Sequence, residues 1–430
     1  MMKKVLWVCN IMLPVIAKEI NLPYSNREGW LTGILNALTQ GEENTEVLLG
    51  ICFPVSAETI ERIGRDAIWV QGVPCYGFAE DLVHPENYDV SLEKRFSEIL
   101  EDFKPDMIHV FGTEFPHALA AIKTFDKPER TLIGIQGLCS EIAKVYMAGI
   151  PEKVSKSVSF RDFIRKDSLK QQQEKFRIRG EREKEIIRLS GHITGRTSFD
   201  KEKTAKMNPN AVYHPMNETM RSAFYTGEWN RDACERHSIF MGQGDYPLKG
   251  FHFMLEAMPQ ILSKYPNAKL YLAGNSIMEH HTVKDKIKLS AYGKYLLSVM
   301  NKYDLKDKVV VLGKLSEEKM KERFLHSEVF VCPSVLENSP NTIGEAMLLG
   351  VPVVAANVGG IPDMITNEKD GLLFACGDVD ALAKAVYRIF DEEDLAETLS
   401  HAAKERAKLQ HDGHQNYRRL LEIYEIMGRT

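Results

Sequence analysis

PSVLENSPNTIGEAMLLGVPVVAANVGGIPDMI, residues 333–365, carries two glutamates eight positions apart, Glu337 and Glu345. Pro340 suits a helix start but not a helix interior, because it lacks an N–H and has a fixed φ. Asn341 or Thr342 is suited to cap that start. Glu337 is therefore expected in a loop at the carboxyl end of a strand, and Glu345 about one turn inside the helix. A helix N-terminus offers free N–H groups and a positive dipole end to an anion. A carboxylate one turn in can accept two hydrogen bonds from a vicinal diol. A nucleoside diphosphate presents both the anion and the diol. The plainer alternative is a pair of ordinary first-turn acids stabilising a helix dipole.

The spacing does not stand alone. SIFMGQGDYPLKGFHFMLEAM, residues 238–258, reads as strand, glycine-rich loop and helix, with Lys249-Gly250 at the helix start. Gly242 and Gly244 let that loop approach a ligand closely, and a lysine there suits a diphosphate. An isolated Gly-x-Gly is weak evidence. The P-loop pattern Gly-x4-Gly-Lys-Ser/Thr does not occur, which argues against a P-loop NTPase.

Working outward, short apolar runs alternate with amphipathic stretches along the whole chain. Strands are predicted at 4–9, 46–51, 67–71, 106–111, 131–136 and 192–195, then at 238–242, 269–274, 308–313, 329–333 and 351–356. Helices are predicted at 91–103, 249–264, 316–326 and 378–390. Alternation of this kind indicates parallel sheets. It occurs twice, on either side of a polar, weakly periodic connection near residues 209–235. The expected fold class is α/β, with two Rossmann-like parallel-sheet domains facing a cleft where open α/β sheets bind ligands. The boundaries expected are 1–214, 215–411, and a C-terminal helix at 412–430 that packs back across the connection.

With these motifs in place, the second half resembles the family-four, group 1 glycosyltransferases of the GT-B fold. The carrying residues are Glu337-x7-Glu345 with Pro340-Asn341, Ala346-Met347, Gly350-x-Pro352-Val353-Val354, Gly359-Gly360-Ile361-Pro362, Gly371-Leu372-Leu373, and Lys249-Gly250. The resemblance is specific over residues 236–390. It is looser in the first half, at VLWVCN, Gly29-Trp30, DMIHVFGTE and Gly195-Arg196-Thr197. The mixture is similar to enzymes of bacterial surface-polysaccharide assembly.

The resemblance implies a retaining, metal-independent hexosyltransferase with no cofactor, the nucleotide-sugar being a substrate. It implies that Glu337 and Lys249 serve the chemistry. Glu345 would bind the donor ribose, and Asn338, Asn341, Thr342, Ile343, Gly242, Gln243 and Gly29 would line the rest of the donor site. Gln136, Arg196, Glu114 and His117 would position the sugar or acceptor, with acceptor loops expected at 10–28, 72–90 and 112–118. Two departures stand out. The family usually adds an arginine where this chain has Gln243-Gly244, which leaves Arg196 or no second cation at all. It also often places a histidine where Gln136 stands, and glutamine can donate a hydrogen bond but cannot titrate.

Composition sets outer limits. The 430 residues suffice for two or three domains, and the formal net charge of -5 gives no overall attraction for nucleic acid. Seven cysteines without a Cys-x-x-Cys pair are expected to be free thiols, mostly buried. No His/Cys ligand spacing appears, and the adjacent pair His280-His281 reads as surface. The N-terminal MMKKVLWVCNIMLP reads as a first strand rather than a leader, and no long apolar run is present. A cytoplasmic protein is expected, peripheral at the inner membrane face. Residues 153–188 are basic in an acidic chain, with Phe160, Phe163, Ile164 and Leu169 as an apolar side. Two readings of that segment stand open: a solvated helix hairpin of the first domain, or a surface for anionic lipid or a diphosphate-linked acceptor. The expected partners are a nucleotide-diphosphate sugar and a glycan or lipid-diphosphate-linked acceptor. The alternatives are a nucleotide-sugar epimerase of the same fold and a non-catalytic glycosyltransferase-like subunit, with a phosphorylase set low.

Overall fold

The structure is a computed structural model that describes residues 3–23, 29–40, 47–278 and 288–429. Its chain packs as two compact units. One comprises residues 1–141, 175–220 and 411–430, and the other residues 142–174 and 221–410. The short segment 142–174, which the sequence reading kept with the first domain, thus packs with the second unit.

The first unit is built on an eight-stranded sheet in the order β3-β4-β2-β1-β5-β6-β7-β8. These strands are β1 (Lys3–Val8), β2 (Val47–Val55), β3 (Ile68–Val70), β4 (Val73–Ala79), β5 (Met107–Phe111), β6 (Thr131–Gly134), β7 (His192–Gly195) and β8 (Val212–Pro215). All neighbours are parallel except β3 and β4, which form a hairpin. The two-residue alternation of a strand divides the core. Val5 and Trp7 join one apolar layer, and Leu6 and Val8 join the layer on the other face. The helix Gly413–Arg429 belongs to the first of these layers through Tyr417, Leu420, Ile423 and Tyr424. Tyr424 is fully buried, so its hydroxyl needs partners. It accepts from Trp7 Nε1 at 2.8 Å and lies 2.8 Å from His109 Nδ1. Burial lowers the His109 pKa to about 3, so this ring is neutral and Nδ1 accepts the tyrosine proton.

The second unit holds a six-stranded, wholly parallel sheet in the order β11-β10-β9-β12-β13-β14. Its strands are β9 (Glu235–Met241), β10 (Lys269–Ala273), β11 (Val309–Gly313), β12 (Ser327–Cys332), β13 (Val353–Ala356) and β14 (Leu372–Phe374). Central strands β12 and β13 are buried along their whole length, as helices on both faces require. The helices Phe251–Lys264 and Val379–Asp391 pack together on one of those faces.

Each expected strand has a counterpart in the two sheets, and three strands were not anticipated. Strand β4 contains Pro74 and Gly77, which read as breakers. Pro74 is tolerated because the ladder to β2 begins only at Cys75. The turn into β4 uses Gln71 and Gly72, both at positive φ, a hairpin without the usual Asn-Gly signal. Strands β8 and β14 are four and three residues long, and β8 lies within the stretch read as the connection between the units. All seven cysteines are free; Cys234 is half-buried and Cys376 exposed, whereas the other five are buried. Among the described residues no helix is long and apolar enough to cross a membrane.

Candidate donor site

Two loops at the carboxyl ends of β9 and β12 assemble the candidate site in the second unit. From β9 the chain runs through Gly242-Gln243-Gly244 into a single 3-10 turn, Pro247–Lys249, and then into the helix Phe251–Lys264. From β12 it runs through Ser334 and Glu337 to the helix Asn341–Leu349. The two loops are joined by a backbone hydrogen bond from Val335 N to Leu248 O at 2.8 Å. Gly250 has φ +67, and a Cβ on it would lie 1.8 Å from Pro333 O. Only glycine lets the Lys249 turn lie this close to the end of β12. Gly359 does the same for the other side. It has φ +52, a Cβ there would lie 1.9 Å from Glu337 O, and the next N–H, of Gly360, donates to that oxygen at 3.0 Å. The Lys249-Gly250 and Gly359-Gly360 motifs thus share one physical purpose, to hold Lys249 and Glu337 together.

Their side chains meet. Lys249 Nζ donates to Glu337 Oε1 at 2.7 Å, and Ser334 Oγ donates to the same oxygen at 2.8 Å. The ammonium also lies 5.6 Å from the Tyr246 ring centroid. Desolvation presses Lys249 towards neutrality, but the Glu337 carboxylate outweighs it and holds the pKa above the usual lysine value. Lys249 is therefore a permanent cation.

The helix Asn341–Leu349 begins with no side-chain cap; Pro340 is the cap residue. The expectation that Asn341 or Thr342 would cap it is corrected here. Both are first-turn helical residues, and Ile343 N bonds back to Pro340 O at 3.0 Å. The Thr342 methyl faces Gly242, the Gln243 side chain lies against Gly274, and Asn338 is buried between β12 and the helix. Glu345 is buried on the fifth residue of the helix and accepts from Arg221 Nε at 2.7 Å. Its other oxygen, Oε2, is buried with no hydrogen-bond partner among the described residues. Burial raises the Glu345 pKa against the opposing pull of Arg221. Arg221 and Ser334 carry no sequence signal of their own. Arg221 lies in the weakly periodic connection, and only the fold brings it to Glu345.

The first unit holds the remaining sequence candidates. Gln136 follows β6, and its Nε2 donates to Glu218 Oε1 at 3.0 Å. Arg196 follows β7 and forms an ion pair with the same Glu218 carboxylate. His411 Nδ1 donates to the Glu218 carbonyl at 2.7 Å, and burial lowers the His411 pKa to about 4. Glu218 was not anticipated, although it gathers three of these side chains. Glu114 lies in the loop after β5, accepts from Gly137 N at 2.9 Å, and has its pKa raised by burial. His117 is fully buried; its ring and its backbone N–H both bond the Glu80 carboxylate, at 2.7 and 2.8 Å. Gly29 opens the helix Gly29–Gln40. Residues 24–28 of the expected acceptor loop, and the pair His280-His281, lie outside the described residues. Among the described residues no three His, Cys, Asp or Glu side chains cluster as metal ligands.

Residues 227–406, which contain every residue of the second-unit site except Arg221, match the family model of the group 1 glycosyl transferases. The amylovoran biosynthesis glycosyltransferase AmsK of Erwinia amylovora is 32% identical over 131 residues, 29% of this chain and 32% of that protein. The chain spans about half or less of the length of the first curated relatives it matches. Among solved structures, sucrose-phosphate synthase from Thermosynechococcus elongatus superposes with a TM-score of 0.71 at 16% identity, covering 99% of this chain and 100% of that one. Anabaena HepE, in complex with UDP and glucose, gives 0.66 at 13% identity, covering 98% and 99%. These structures share the α/β fold with two mostly parallel sheets, the GT-B class.

Proposed function

With residues 227–406 a group 1 glycosyl transferase module, we propose that the chain moves a sugar from a nucleotide-diphosphate donor to a glycan or lipid-linked acceptor, in surface-polysaccharide biosynthesis and with retention of configuration. The observation that carries the reading is the Lys249–Glu337–Ser334 cluster, with Glu337 four residues ahead of a helix that begins with no side-chain cap. The leaving diphosphate would take over Lys249 from Glu337 and lie against the first-turn N–H groups of Asn341 and Thr342. A preorganised ammonium and a helix dipole stabilise the charge that develops on the leaving group, so no metal is required. Glu337, released from Lys249, would face the transferring sugar. Glu345 Oε2 would receive a ribose hydroxyl, which satisfies an oxygen that the protein leaves unpaired. An epimerase is not favoured, because the matched family model and the polysaccharide-assembly relative are transferases.

The test begins with a melting-temperature screen against UDP-, GDP-, ADP- and dTDP-sugars, with and without EDTA, since a ligand of the native state raises the melting point. The preferred donor then separates two variants. Glu345→Gln loses charge-assisted bonds to the ribose and should weaken donor binding by about 1.5–3 kcal/mol. Glu337→Gln should lower kcat more than donor affinity, because the transferring sugar it would face develops charge only in the transition state. Equal, affinity-only losses in both would remove this division of roles, and loss of all binding on chelation would remove metal independence.

A further inference from the structure

Residues 151–170, PEKVSKSVSFRDFIRKDSLK, carry six basic side chains against three acidic ones. Within them the short helix Phe160–Arg165 is fixed by a reciprocal capping box between Ser159 and Asp162. Asp162 points inward: it is buried, and its Oδ2 also accepts the Ala291 N–H at 2.7 Å, at the start of the helix Ala291–Lys302. The opposite face points outward. Phe160, Phe163 and Ile164, at positions i, i+3 and i+4, share that face and are 62%, 72% and 62% exposed, with Val158 at 57% just before them. Leu169, expected on the same apolar side, is instead buried. Two aromatic rings and two aliphatic side chains held in water by a rigid turn mark a surface that meets a partner.

The charges around the wedge select the partner. Lys156 pairs with Glu152, and Arg161 with Asp162 and Asp167, so these cations are committed. Lys153, Arg165, Lys166 and Lys170 are exposed and have no acidic partner among the described residues. A second copy of the chain would set these cations against themselves in a two-fold contact. A bilayer with anionic head groups instead offers both an apolar layer for the rings and a negative plane for the ammonium and guanidinium groups. We propose that Val158, Phe160, Phe163 and Ile164 insert as a wedge into an anionic lipid surface, with Lys153, Arg165, Lys166 and Lys170 on its head groups. The proposal rests on the transferase reading in one respect: it selects a lipid-borne acceptor over a free glycan.

The experiment uses the full chain and phosphatidylcholine vesicles with and without about one-third phosphatidylglycerol. The parent should co-sediment only with the anionic vesicles and less at high salt. Phe160→Ser with Phe163→Ser should lower the vesicle partition constant at least about tenfold. Arg165→Gln with Lys166→Gln should lower it about 25-fold at low salt, roughly fivefold for each cation. Phe163→Trp should give a blue-shifted emission difference on vesicle addition. Each variant must keep the parent's donor-induced rise in melting temperature. If the parent ignores anionic vesicles, or both double variants bind as it does, the wedge is not a lipid surface. A concentration-dependent dimer that Phe163→Ser abolishes would replace lipid with a second copy. Absence of any donor-induced stabilisation would count against the transferase reading and leave the docking result standing.

Discussion

The two units each bring a basic side chain onto a glutamate, and the two pairs are built for different ends. In the second unit Lys249 and Glu337 retain 20% and 13% of their side-chain exposure. Each therefore keeps a side open to solvent, as the proposed exchange of the carboxylate for a phosphate requires. In the first unit Arg196 and Glu218 retain only 7% and 4%. There Gln136 takes the carboxylate oxygen that faces it, and His411 takes the Glu218 carbonyl. A charge that can re-pair is available for chemistry, whereas one surrounded by bonded neighbours is scaffold, because removing either partner strands the other in low dielectric. The sequence offered Arg196 as a substitute for the arginine missing at Gln243, and in the folded chain that guanidinium is paired with Glu218.

The largest effect should follow from breaking the exposed pair. Lys249→Ala is expected to lower kcat/KM by roughly two to four orders of magnitude in single-turnover sugar transfer, with the melting temperature near that of the parent. Lys249→Arg should rescue in part, since a planar fork replaces a compact ammonium. Transfer within about threefold of the parent by Lys249→Ala would mean that this pair is also scaffold.

Arg196→Ala should invert the pattern. A buried carboxylate left alone costs about 3–5 kcal/mol of stability, read as a lower denaturant midpoint. Transfer per folded molecule should stay within about tenfold of the parent. A stable Arg196→Ala protein as inactive as Lys249→Ala would make Arg196 the second cation and erase the contrast.

The smallest effect concerns pH and sharpens the scaffold half alone. His411 is neutral in the folded protein, with a pKa near 4, whereas an unfolded histidine titrates near 6.5. The unfolded state therefore binds the extra proton first as pH falls. The stability that His411 contributes is complete above pH ~6.5 and is lost as pH drops towards 4. The loss between pH 7 and pH 5 should be on the order of 2 kcal/mol. His411→Gln keeps a donor for the Glu218 carbonyl and should flatten the stability profile over that window. Identical slopes for parent and variant, measured by urea denaturation across it, would show that His411 does not report on this cluster.

The legibility of each part has a local cause. Strand β12 and its loop were readable because a buried parallel strand, a proline at a helix start and two glutamates eight apart all lie within one short segment. Strand β4 was not, because Pro74 and Gly77 interrupt its pattern; Pro74 precedes the ladder to β2, and Gly77 pairs with Phe53 within it. Glu337 and Glu345 could be nominated from spacing, but nothing local to them names Arg221 or Ser334 as partners. Phe160 and Leu169 looked like two members of one apolar side, yet one is exposed and the other buried.

Sequence by itself determined the alternation of strand and helix, the two parallel-sheet units, and two candidate segments, a lysine loop and a stretch with two glutamates around a helix start. Those are consequences of short-range rules: period, cap, and the conformations open to proline and glycine. Tertiary structure alone decided which cation meets which acid and how much water each pair keeps. It also decided that residues 411–430 belong to the first unit and 142–174 to the second. These contacts join residues far apart in the chain, as Arg221 with Glu345 and Trp7 with Tyr424. Their strength depends on burial, which is a property of the packed volume and not of any stretch of chain.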